Sequence, residues 1–186
     1  MNMNRFNLLM MGCLALSLMA CGEKKKSDDI VTERMEQPMP QGPIRLQAYE
    51  DSKEISWIGR TYYLHIERQA NDSLPMVKDE IGQQFVDNSI TLKVSRQDNT
   101  VFYHRTFTKK DFSQYLDDDY RATGILEGFV FNRADGDWLE FAASVSHPQT
   151  DEYIPLVVRL SRMGGLVIKR DTHMDTSASD DGDDVG

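Results

Sequence analysis

The chain has 186 residues, of which 40% are hydrophobic, with 30 acidic and 21 basic side chains and a net charge of −9. Its periodic apolar runs fit a globular protein rather than a disordered one. An acidic surface repels nucleic acid backbones, so no nucleic acid partner is expected.

The first segment reads as a secretory signal. Arg5 gives a positive start, Leu8 to Ala20 give 13 apolar residues, and small Ala20 precedes a cysteine. A membrane-spanning helix needs roughly 20 such residues, so this run is short for one. Leu18-Met19-Ala20-Cys21 resembles the bacterial lipobox. That resemblance implies that residues 1–20 are a lipoprotein signal peptide. Cys21 is then the first mature residue, carrying a diacylglyceryl thioether and palmitate-type acyl chains. Each buried methylene contributes about 0.8 kcal/mol, so two or three chains hold a protein firmly on a membrane. The implied address is the cell envelope, as an outer membrane lipoprotein facing the periplasm or the surface.

Cysteine use follows from the same reading. Cys13 leaves with the signal and Cys21 is acylated, so the mature domain keeps no thiol. A disulfide scaffold, thiol catalysis and cysteine-ligated metals are thereby excluded. Loss of Arg5 leaves the mature form at −10.

Residues 21–43 read as a flexible tether. They contain Lys24-Lys25-Lys26, Ser27-Asp28-Asp29 and the proline-rich run Pro38 to Pro43. Prolines at this density resist helix and sheet. As coil, the segment spans about 25 Å. The lysines suit either anionic headgroups or plain solvation. The acidic run resembles the surface-export signals of Bacteroidetes-type lipoproteins, displaced downstream by the lysines.

Residues 44–171 form the domain proper. Ile58, Tyr62, Leu64 and Ile66 are expected on one strand face, opposite Thr61, Tyr63, His65 and Glu67. Ile90, Leu92 and Val94 alternate with Ser89, Thr91, Lys93 and Ser95. Leu139, Phe141, Ala143 and Val145 alternate with Trp138, Glu140 and Ser144, and Ile154, Leu156, Val158 and Leu160 alternate with Tyr153, Val157, Arg159 and Ser161. This period of two predicts half-buried antiparallel strands. Asp98-Asn99, Asp135-Gly136 and Gly164-Gly165 predict three hairpin turns of the kind that need positive φ. Thr108 or Asp111 is expected to cap one short helix carrying Phe112, Tyr115 and Leu116, which Asp117-Asp118-Asp119 would end. A weaker helical signal lies over Val77–Phe85. The predicted class is mainly β: a single antiparallel meander forming a β-sandwich or a small barrel, with one short helix. Residues 172–186, rich in Asp and Ser, read as a disordered acidic tail.

Three stretches, Gly128 to Arg133, Phe141 to Ser146 and Thr150 to Leu156, resemble an uncharacterised lipoprotein family of Bacteroidales, known as a domain of unknown function. The resemblance implies a Gram-negative envelope address and carries no activity with it.

Chemistry-bearing motifs are sparse. His65, His104, His147 and His173 show no metal-pair spacing, although His65 and His104 sit on predicted strands that could meet. The acidic runs lack the spaced ligands of an EF-hand. No nucleophile elbow, Walker loop or dinucleotide fingerprint occurs. No metal or cofactor is therefore expected. Strand aromatics on both faces suggest either a covered sheet or an apolar cavity lined by Tyr62, Leu64, Phe129 and Phe131. Asp72-Ser73-Leu74 matches a Bacteroidetes O-glycosylation pattern, with Ser73 as acceptor. The preferred expectation is a membrane-anchored, non-catalytic binding or scaffolding module for an envelope protein or glycan. The alternatives are a small barrel binding an apolar ligand and an envelope glycan or peptide hydrolase. A hydrolase needs two or three polar side chains converging in a cleft.

Overall fold

The computed structural model describes residues 42–172. The signal peptide, Cys21, all but the end of the tether, His173 and nearly all of the acidic tail lie outside the described residues.

Two four-stranded antiparallel sheets pack face to face. One has the order β1 (Tyr49–Trp57), β2 (Arg60–Ala70), β5 (Asn88–Arg96), β6 (Val101–Phe107). The other runs β10 (Leu166–Arg170), β9 (Tyr153–Ser161), β8 (Trp138–Ser146), β7 (Ile125–Asp135). The expected single meander is thus two meanders, and the sheets do not close into a barrel. A short hairpin, β3 (Val77–Lys78) with β4 (Gln84–Phe85), stands where the sequence hinted at helix.

The alternation read from sequence is what joins the sheets. Leu64, Ile66, Ile90, Leu92 and Val94 of the first sheet are buried, as are Leu139, Phe141, Val145, Leu156, Val158 and Leu160 of the second. Each such side chain contributes about 1.5–3 kcal/mol through burial. Phe107 and Phe129 stack between the sheets, with ring centroids 5.2 Å apart.

Two helical segments replace the one expected. Residues Lys109–Tyr115 form a 3₁₀ helix, opened by the Thr108 N–H donating to Asp111 Oδ2 at 2.8 Å. Asp117 then starts a second helix, α1 (Asp118–Thr123), by accepting from Tyr120 N at 3.0 Å. The acidic run therefore begins a helix instead of ending one. This agrees with the dipole, which favours carboxylates at an N-terminus.

Ile58 is corrected too. It lies outside the strand at φ +46, beside Gly59 at φ +72, and the two make the turn between β1 and β2. Its β-branched side chain signals strand, but pairing of Trp57 with Arg60 leaves only these two residues to reverse the chain. The other turns differ in detail from the expected pairs. Asn99 and Gly164 are the single left-handed residues of three-residue loops closed by Arg96 N to Thr100 O and Ser161 N to Gly165 O. Between β7 and β8 the loop is Gly136-Asp137, with positive φ only at Gly136.

Candidate functional site

Strand pairing gives the sandwich two unlike ends. Tyr62 lies opposite Arg96, so the β1–β2 and β5–β6 turns share one end of the first sheet. The Trp57 indole N–H donates to Gly136 O at 3.1 Å, and Arg162 N to Asp137 O at 2.9 Å. These bonds bring the β7–β8 and β9–β10 turns to the same end. The opposite end, the base, holds the longer connections and the entry of the chain. There Ile44 is held against Gln84 and Val86 by backbone bonds of 2.9 Å.

A notch of about 620 Å³ opens at the turn end, lined by Ser56, Thr61, Arg60, Arg96, Gln97 and Asp98 among others. Ser56 and Thr61 are cross-strand partners and bring their hydroxyls to one side. Arg96 is placed by packing: its guanidinium lies 5.2 Å from the Phe102 ring centroid. Phe102 is in turn edge-on to Trp57 and Tyr62. Asp98 is engaged locally, accepting from Thr100 N at 2.9 Å and Thr100 Oγ1 at 2.6 Å. Those bonds hold its carboxyl below the usual carboxylate range. Arg60 is exposed, and among the described residues neither Arg60 nor Arg96 is in an ion pair.

The base carries the imidazole chemistry. His147 Nδ1 lies 3.1 Å from Glu152 Oε2 and Nε2 lies 3.2 Å from Asp119 Oδ2, the latter at ion-pair distance without hydrogen-bond alignment. Its ring stacks on Tyr120 at 4.0 Å. Burial and the surrounding carboxylates Glu152, Asp117 and Asp119 raise the Tyr120 phenol above its ordinary value, so it stays protonated. The cleft measures about 460 Å³ and also takes Asp79, Glu80 and Ile81 into its walls. Its two hydroxyls are committed: Thr150 Oγ1 donates to His147 O and Thr123 Oγ1 to Asp119 O. Among the described residues no group of three or more His, Cys, Asp or Glu is placed to hold a metal ion.

Deeper in the base, Asp87 ties the sheets together. Its Oδ1 accepts from Asn88 N at 2.8 Å and Leu126 N at 2.9 Å, while Asn88 Nδ2 donates to Leu126 O at 2.9 Å. Burial raises the Asp87 carboxyl above its ordinary value and lowers the Lys109 ammonium, whose Nζ lies 3.9 Å from Asp87 Oδ2. Sequence reading missed this pair, since nothing local marks Asp87 as buried.

The residues singled out from sequence fall as follows. Tyr62, Leu64 and Phe129 are buried in the core, and Phe131 is half-buried against Phe141 at 5.8 Å. They pack into the interior, and Tyr62 also reaches the wall of the turn-end notch. His65 and His104 do not meet, because Lys93 of β5 stands between them. His65 bonds instead to Ser52 at 3.0 Å. Ser73 is exposed in a turn and donates to Asn71 Oδ1 at 2.7 Å. The Arg60–Arg96 notch went unseen because its parts are far apart in sequence. The one signal was two arginines flanking turn residues.

Fold and clefts together define a two-sheet antiparallel β-sandwich with open polar sites at both ends. By sequence, the chain belongs to the family described as Domain of unknown function (DUF4738), whose profile matches residues 28–168. No curated protein matches the chain.

Proposed function

We propose that the protein is an envelope lipoprotein of the Bacteroidales type, acylated at Cys21 and tethered to the outer membrane. In this reading it is a non-catalytic binding module that presents its turn end to an envelope protein or glycan. The observation that carries the reading is the polarity of the sandwich. The chain enters at the base near Ile44, beside the short β3–β4 hairpin, whereas the four turns within the two large sheets and the arginine-lined notch lie at the other end. An anchor joined at Ile44 leaves the turns as the exposed working end.

The rival hydrolase reading rests on the His147 cleft. There Asp119 and Glu152 flank the imidazole, while the Thr123 and Thr150 hydroxyls donate to backbone carbonyls and are less available as nucleophiles. Ser73, exposed in its turn, is the proposed glycan acceptor, and an intact mass from the native host equal to the lipidated polypeptide alone would reject it.

Two experiments test the proposal. Palmitate labelling is expected to depend on Cys21 and to vanish in Cys21→Ala, with loss from the membrane fraction. A photo-crosslinking residue at Gln97 is expected to capture envelope material, whereas one at Lys78 at the base captures none. Crosslinks from Lys78 alone, or from neither position, would overturn the binding role.

A further inference from the structure

We propose that the turn-end notch binds an acidic saccharide, with Arg60 and Arg96 taking the anionic group. The inference rests on the binding-module reading and gives it a ligand class. Three observations lead to it.

First, the notch carries net positive charge on an acidic molecule. Acidic side chains outnumber basic ones over the chain. Around the domain, Arg45, Arg105, Arg121, Arg133, Arg159 and Arg162 each pair with a carboxylate. Arg60 and Arg96 line one notch and, among the described residues, neither is in an ion pair. Arg96 does donate to Thr100 Oγ1 at 3.3 Å and, after the Thr100 hydrogen bonds, its charge helps lower the Asp98 carboxyl. With Asp98 counted, the notch keeps a positive charge on an acidic protein.

Second, the donors are of the right kind. A guanidinium presents a planar fork that matches a carboxylate or phosphate with two parallel hydrogen bonds. Arg96 is held over Phe102, so part of its ordering cost is met before a ligand arrives.

Third, the remaining lining suits hydroxyls. Ser56, Thr61 and the Gln97 amide offer both donors and acceptors. An apolar ligand would leave these groups unpaired, and the carboxylate of Asp98 disfavours a purely anionic surface. A hydroxyl-rich chain bearing spaced negative groups satisfies both features.

The shared chemistry is an anionic group on a sugar, which a uronate or a sugar phosphate can supply. Calorimetry on the purified full chain would use oligogalacturonate, glucose 6-phosphate, a neutral cello-oligosaccharide and polyglutamate. Binding of one or both acidic sugars, weakened about tenfold or more by Arg60→Ala and weakened by added salt, is the expected result. Whichever acidic sugar binds identifies the source of the charge. Arg60→Lys keeps the charge but loses the fork, and is expected to fall between wild type and Arg60→Ala. Arg60 is exposed and among the described residues makes no ion pair, so its variants should melt with the wild type. Equal binding of the neutral sugar, tighter binding of polyglutamate, no effect of Arg60→Ala, or no binding of either acidic sugar would overturn the proposal. Crosslinking from Gln97 is read separately, so the binding-module reading can survive that failure.

Discussion

The two ends of the sandwich are built by different means. The turn end is closed by tight loops of two or three residues, and its side chains are ordered by aromatic packing: Trp57, Tyr62 and Phe102 sit within 5.2–5.8 Å of one another beneath Arg96. The base is closed by long connections and ordered by buried polar bonds, with Asp87 and Asn88 pinned to Leu126. Above that packing Arg60 is exposed, while Arg96 donates to Thr100 Oγ1 at 3.3 Å and Asp98 accepts from Thr100. Polar pinning commits Asp87 Oδ1 and the Asn88 side-chain amide N–H internally, and leaves the buried Asn88 Oδ1 without a hydrogen-bond partner among the described residues. The turn end is thus held together by aromatic packing and the base by buried polar bonds.

The largest expected effect comes from removing the support of the turn end. Trp57 is 2% exposed and links the sheets through Gly136. Trp57→Ala should cost about 3–5 kcal/mol, as for other buried aromatics cut to alanine. Trp57→Phe keeps most of the packing and should cost about 1 kcal/mol, the value of one hydrogen bond. Urea denaturation measures both. If the two variants were equally mild, aromatic packing would not be what orders that end.

A smaller change is expected from Asp87→Asn at the base, because an amide oxygen still accepts from Asn88 N and Leu126 N. Its signature is in the pH dependence. Burial raises the Asp87 carboxyl, so the folded state holds the proton more tightly than the unfolded chain. The resulting stability is fully present below the ordinary carboxylate value of 3.8 and is lost as pH rises through the raised value. Wild type should therefore gain on Asp87→Asn as pH falls through the acid range. Asp87→Ala is harsher, because it leaves two amide N–H groups without an acceptor at about 1–3 kcal/mol each. Denaturation midpoints across pH, showing no divergence between wild type and Asp87→Asn, would remove Asp87 as a buried, proton-holding pin.

Much of the fold was legible because alternation reports directly on burial. Leu92, Phe141 and Leu156 announced their strands, and Asn99, Gly136 and Gly164 marked three of the turns. β1 was hidden, since only Ile55 and Trp57 of its nine residues are buried and the rest are largely charged or polar. The division into two sheets was hidden as well. It depends on where residues 71–87 and 108–124 carry the chain, and no local pattern encodes that path. The sites were least legible of all. Arg60 and Arg96 come to one notch, and Asp119 meets His147, only through strand pairing and loop packing.

The smallest effect expected is also the most discriminating for the two ends. Among the described residues three non-glycine residues sit at positive φ: Ile58 at +46 and Asn99 at +64 at the turns, and Gln149 at +62 at the base. Asn99 suits that region through its short polar side chain, whereas a β-branched isoleucine does not. Ile58 is 45% exposed, so little packing offsets its strain. Ile58→Asn should therefore raise stability by about 1 kcal/mol, read as a higher Tm. Gln149→Asn should gain less, because glutamine is unbranched at Cβ. If Ile58→Asn gained nothing, the turn end would be relaxed as it stands. If it gained stability but lost ligand affinity, the strained isoleucine would belong to the working surface, which is where strained backbone tends to persist.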